Sequence, residues 1–158
     1  MDDPDARNGL AAGLNGRADR APEPRRTMLV VAMPGVVSAS LVHAVEREFP
    51  WVQVRQAEGI GAVHAAFDHP VSLILVDASL LRAAEAAAFD IARLHPHALT
   101  AVIERGGNDP LWRLPGLLES RLVRGVLPMD LKLDIWLAVV RLLLCGGEYF
   151  PVHIGRPR

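Results

Sequence analysis

Apolar residues along this chain fall into short runs separated by stretches with helical spacing. Residues 71–76 are almost wholly apolar and run straight into Asp77. Residues 28–32 form a second such run, and 99–103 a third. Short, nearly unbroken apolar runs predict strands buried on both faces. Residues 51–56 alternate in the manner of a strand, and 125–127 give a shorter strand candidate. Between them lie predicted helices. Over 36–48 the residues Val37, Leu41 and Val45, with Phe49 just beyond, recur on one face. Shorter helical patterns cover 59–68 and 111–120, the second interrupted by Pro115. The alanine-rich stretch 80–94 favours helix by propensity alone. Residues 133–145 form the strongest helix signal and end at Gly146-Gly147, a helix-stop pair.

Strand and helix thus alternate five times, which predicts an α/β fold: a five-stranded parallel sheet with helices on both faces. In open parallel sheets, chemistry gathers beyond the carboxyl ends of the strands. Asp77 stands at such an end. Three roles are open to it from the residues alone: phosphate acceptor, ligand-binding carboxylate, or a strand-end group accepting hydrogen bonds from the following loop. Glu104 and Arg105 follow the next strand, and Arg105 is a candidate partner for Asp77.

Composition narrows the classes. A chain of 158 residues with 51% hydrophobic residues suits one domain with a tail. The net charge of −1 argues against bulk attraction to nucleic acid or acidic lipid. Residues 1–26 carry five acidic and five basic side chains and few large apolar ones, and they read as a disordered tail ahead of a domain over 27–151, with 152–158 as a linker or tail. The acidic start lacks the apolar core of a signal peptide, and no apolar run is long enough to span a membrane, so a cytoplasmic protein is expected. Cys145 is the sole cysteine, which removes internal disulfides and cysteine-based zinc sites, and its place in a last apolar helical turn predicts a buried thiol. His95-Pro96-His97 lacks a nearby acidic or cysteine partner and reads as a helix-to-strand loop rather than a metal site. His43 and His64 fall in helical patterns and are expected to be half-buried. Gly59-Ile60-Gly61 lacks the third glycine and the setting of a phosphate loop.

The carboxy-terminal third carries a resemblance. Arg124-Gly125-Val126-Leu127-Pro128-Met129-Asp130, then a helix with Trp136 and Arg141, then Gly146-Gly147-Glu148-Tyr149-Phe150-Pro151, resembles the end of receiver domains in LuxR/FixJ-type response regulators. The likeness covers about residues 27–151, and ahead of Arg124 it lies in the pattern alone. It implies the flavodoxin-like (CheY-like) sheet order 2-1-3-4-5. It also implies a site in which an aspartate at the end of the third strand accepts a phosphoryl group beside a magnesium ion held by an acidic pair, with a lysine and a threonine or serine nearby. Asp77 matches the acceptor position. Ala32 and Met33 stand where the acidic pair belongs, Met129 where the lysine belongs, and Ile103 or Glu104 where the hydroxyl belongs. Magnesium binding and ordinary phosphorylation are therefore not expected.

The resulting expectation is a non-enzymatic, degenerate receiver-like module of a transcriptional regulator, with no cofactor. It would act through homodimerisation or through a histidine kinase or regulator partner. Its DNA contact would come only from a helix-turn-helix domain beyond this chain. The last predicted helix is apolar nearly all round, so Ile135, Trp136, Val139, Val140 and Leu143 are expected to face a partner. Rival expectations are a stand-alone adaptor, a receiver phosphorylated on Asp77, a module binding a small ligand over Asp77, and an unrelated small α/β enzyme using Asp77 with Glu104.

Overall fold

In a computed structural model, which describes residues 24–106, 117 and 119–151, the apolar runs become the strands of one sheet. The strands are β1 (Arg26–Val31), β2 (Val52–Ala57), β3 (Val71–Asp77), β4 (Leu99–Glu104) and β5 (Val123–Pro128). All pairs are parallel, as the alternation predicts, and the order is β2-β1-β3-β4-β5, as the resemblance implies. The helices are α1 (Ala39–Glu48), α2 (Leu81–Ala86), α3 (Ala88–Leu94) and α4 (Leu133–Leu144).

The period of two along β1 and β3 divides the core. Met28, Val30, Leu73 and Leu75 face α1 and α4 together with Ala101, Ile103 and Leu127. Leu29, Val31, Ile74 and Val76 face the opposite layer with Val63, Ala84 and Ile91. Because both faces are covered, the strands need no polar alternation. Each fully buried Leu, Ile or Val contributes about 1.5–3 kcal/mol of transfer free energy.

Helix α1 starts three residues later than its apolar pattern suggests, because Ser38 caps it: the Leu41 N–H donates to Ser38 Oγ at 3.2 Å. Its predicted face is the one that packs, with Val37, Val45 and Phe49 buried and Leu41 against them. On the exposed edge of β2, the Val54 N–H donates to Glu46 Oε1 at 3.1 Å, which closes one open position of the ladder.

Two helical expectations are corrected. The stretch 59–68 holds only a 3-10 turn, Ile60–His64, in which Val63 alone is buried; Gly59 and Gly61 weaken a helix that has one anchor. The alanine-rich stretch 80–94 is two short helices broken at Ala87 (φ −92°, ψ 5°). Alanine favours helix locally, but its methyl buries too little to hold one axis across the break. The helix predicted over 111–120 lies almost wholly outside the described residues. No described helix is long and apolar enough to cross a membrane.

Candidate regulatory site at the carboxyl ends of the strands

Strand alternation decides which of the candidate residues meet. Asp77 has the parity of Leu73 and Leu75, and Arg105 that of Ala101 and Ile103, so both leave the sheet on the α1/α4 side. Ala32 and Met129 share that parity in their own strands. Glu104 has the parity of Val102, which packs in the separate cluster with Leu81 and Leu117. The two carboxylates that an Asp77–Glu104 acid/base pair would require therefore leave opposite faces.

Asp77 is 1% exposed; its Oδ2 accepts hydrogen bonds, while its Oδ1 meets a cation by charge alone. Arg105 Nε lies 2.9 Å from Oδ1, a charge contact without an aligned hydrogen bond, and Nη2 donates to Oδ2 at 3.2 Å. The Ser79 hydroxyl donates to Oδ2 as well, and the Ser79 N–H points to the same oxygen at 3.4 Å. Asp77 thereby caps the 3-10 turn Ala78–Leu80 that leads into α2. Of the three roles open in the sequence, the loop-accepting one is the geometry seen. The Asp-x-Ser spacing was the available signal for it, since an aspartate side chain commonly bonds the backbone two residues on.

The other positions surround this pair without supplying ligands. Ala32 is buried and continues β1 through its N–H to Ala57 O at 2.9 Å, while Met33 is 57% exposed. Met129 is half-buried, and its N–H donates to Glu104 O at 2.9 Å, which ties the ends of β4 and β5 together.

Helix α4 corrects the expected partner face. Trp136, Val139, Val140 and Leu143 are buried against the sheet of their own chain. Of the five residues named, only Ile135 is exposed, at 47%. The outward apolar residues are instead Leu133, Ile135 and Leu142. Cys145, expected to be buried, is exposed because it follows Ala138 and Leu142 down the solvent side of the helix. Arg141, the one charged residue of the apolar run, donates to Glu48 at 2.6 Å and lies 5.4 Å from the Phe49 ring centroid, joining α4 to α1.

Two of the described histidines make structural contacts. His95 Nε2 donates to Val63 O at 2.7 Å, and its ring meets Phe67 edge-on. His64 bonds Asp90 at 3.0 Å. His43, His64 and His97 are exposed, the first two against the expectation of half-burial. Among the described residues no three His, Cys, Asp or Glu side chains form a metal-binding group.

No family model matches the sequence, and no curated protein is similar to it. Solved structures are similar. A LuxR family DNA-binding response regulator from Silicibacter pomeroyi superposes over 81% of this chain and 98% of its own, at 22% identity and a TM-score of 0.59. The isolated REC domain of RcsB from Salmonella enterica serovar Typhimurium covers 84% and 96%, at 16% identity and a TM-score of 0.55. The regulatory domain of the biofilm regulator CsgD covers 82% and 95%, at 13% identity and a TM-score of 0.55. The fold is that of response-regulator receiver domains. Its solved neighbours include those of LuxR-type regulators.

Proposed function

We propose that this chain is a receiver-type regulatory module of a LuxR/FixJ-type transcriptional regulator that signals without phosphoryl transfer to Asp77. The observation that carries this reading is the state of Asp77: buried, capping the turn that follows it, and paired with a guanidinium from its own chain. A carboxylate held in this way is withdrawn as a nucleophile. Magnesium, which receivers of this fold use, does not fit the residues present. A hard cation wants oxygen ligands, and the end of β1 supplies the methyl of Ala32 and the thioether of Met33. Met129 adds no charge where a lysine would offset phosphoryl oxygens. Losing one such electrostatic contributor typically costs a factor of about 100 or more in rate.

The module is non-enzymatic and cytoplasmic in this reading, and its output is contact with a second copy or with a kinase or regulator. Leu133, Ile135 and Leu142 on the outer side of α4 offer the apolar surface for self-association. One of the solved structures of this fold is of RcsB dimers on DNA. DNA contact by the present protein would belong to a helix-turn-helix domain outside these residues.

Incubation with a small acyl phosphate and magnesium, read by intact mass, tests the central claim. No phosphoryl adduct is expected on the wild type. An adduct on the wild type that is absent from Asp77→Asn would make this an ordinary receiver. Sedimentation at micromolar concentration tests the second claim: a dimer is expected that Ile135→Glu converts to monomer, and a wild-type monomer removes it.

A further inference from the structure

Beyond α4 the chain turns back and lies along the outer edge of β5. Tyr149 pairs with Gly125 in a parallel bridge, and the Val126 N–H donates to Tyr149 O at 2.7 Å. Arg124 Nη1 meets Glu148 Oε1 at 3.0 Å on the solvent side. Tyr149 packs on the α1/α4 cluster, while Phe150 packs on the cluster of Val102, Val123 and Val126 across the sheet. Pro151 is buried. Residues 148–151 therefore form a strap that straddles the sheet edge and fixes where the chain leaves the domain.

The strap depends on Gly125 having no side chain. A Cβ there would stand 2.7 Å from Leu143 Cδ2 and 3.2 Å from the Tyr149 carbonyl oxygen. A side chain there would press both on the end of the Leu143 side chain and on the strap backbone.

We propose that this strap is an output element tied to the Asp77–Arg105 pair through β5. It rests on the reading of the chain as a regulatory module and names the route by which its site would act. Arg105 holds the end of β4 against Asp77. Glu104 O, one residue earlier, holds the Met129 N–H at the end of β5. β5 then presents the Val126 N–H to the strap. The connection is one ion pair and two backbone hydrogen bonds, joined through the chain itself between Glu104 and Arg105 and between Val126 and Met129, a contiguous route of the kind through which coupling is carried. Release of Arg105 would loosen the end of β5 and free residues 148–151, which alters the direction in which the chain continues. Coupling of this kind is reciprocal, so displacing the strap would loosen the Met129–Glu104 bond.

Amide hydrogen exchange tests this in the whole chain. In Arg105→Ala and the milder Arg105→Lys, the Val126 amide is expected to exchange about tenfold faster or more, while the Val54 amide on the opposite sheet edge keeps its rate. In Gly125→Ala, the Met129 amide is expected to exchange faster by a similar factor. Val126 protection unchanged in both Arg105 variants would overturn the coupling, as would a rise matched at Val54, which signals global loosening. Should Asp77 instead take up a phosphoryl group from an acyl phosphate, the functional reading fails while these exchange rates still decide the strap.

Discussion

The guanidinium of Arg105 stands against the buried carboxylate of Asp77, with Nε 2.9 Å from Oδ1 and Nη2 3.2 Å from Oδ2. Asp77 ends β3 and Arg105 directly follows the adjacent strand β4, so the pair sits at the carboxyl end of the sheet, where open parallel sheets gather chemistry. Asp77 is almost fully buried and Arg105 is half exposed, so the carboxylate depends on the pair more than the cation does. A buried carboxylate without a charge partner is costly; here the partner is built into the chain.

Removing Arg105 should therefore destabilise more than an ordinary surface substitution. Breaking a buried pair costs about 3–5 kcal/mol, and solvent around the exposed guanidinium lowers this to about 1–3 kcal/mol for Arg105→Ala. Asp77→Asn keeps an acceptor for Ser79 and should cost less. The double variant should fall short of the sum by about 1 kcal/mol, because each change removes the same interaction. Urea unfolding of the four proteins measures this, and strict additivity would show that the pair contributes nothing.

The two sides of α4 should separate stability from assembly. Trp136 is 1% exposed and packs in the main core, so Trp136→Ala should cost about 3–5 kcal/mol. Ile135, one residue earlier, faces outward, and Ile135→Glu should stay within about 0.5 kcal/mol. Thermal unfolding, extrapolated to protein concentrations at which the chain is monomeric, distinguishes the two. A large loss at Ile135 would place it in the fold rather than on a surface.

The contrast at α4 also shows where sequence reading succeeds and where it stops. Buried strands were legible because an apolar run admits few other readings, and β3 with its terminal Asp77 follows its pattern residue by residue. Gly146-Gly147 was legible as local chemistry at a helix end, whereas the cap at Ser38, which sets the start of α1, was not read from the apolar spacing. The helix over 59–68 was not, since apolar spacing says nothing of how many of those residues reach the core. Orientation was the main loss. A helix apolar nearly all round does not disclose which side meets the sheet, and only the packing separates Trp136 from Ile135. At the site, Ala32 and Met129 could be read as missing chemistry, and Arg105 was visible as a candidate partner. That Glu104 leaves the opposite face needed the strand register.

The end of α4 is a measurable unit. Gly146 has φ +83°, its N–H donates to Leu143 O at 3.0 Å, and the Gly147 N–H donates to Leu142 O at 2.9 Å. This double closure satisfies two carbonyls that the helix leaves unpaired. A side chain at position 146 is strained in the left-handed region by about 1–2 kcal/mol. Gly146→Ala should lower stability by about that much and Gly146→Asn by less. Equal losses for the two variants in chemical unfolding would count against this account.

Acid should weaken a second tie, between the turn after β2 and α3. His64 Nε2 donates to Asp90 Oδ2 at 3.0 Å, and Arg93 lies 3.6 Å from Oδ1. The His64 hydrogen bond holds the Asp90 carboxyl below its ordinary range; desolvation opposes it, and the charges of His64 and Arg93 add to the lowering. A carboxylate with a lower pKa in the folded chain than in the unfolded one stabilises the fold above the unfolded value, about 3.9. That stabilisation is lost as pH falls through the lowered folded value. Wild type should melt above Asp90→Asn at about pH 7, and the two melting temperatures should converge below about pH 4. Because the pair is solvated, added salt should shrink the gap at neutral pH as well. A gap that persisted unchanged into acid would mean that the Asp90 side chain acts through packing and not through its charge.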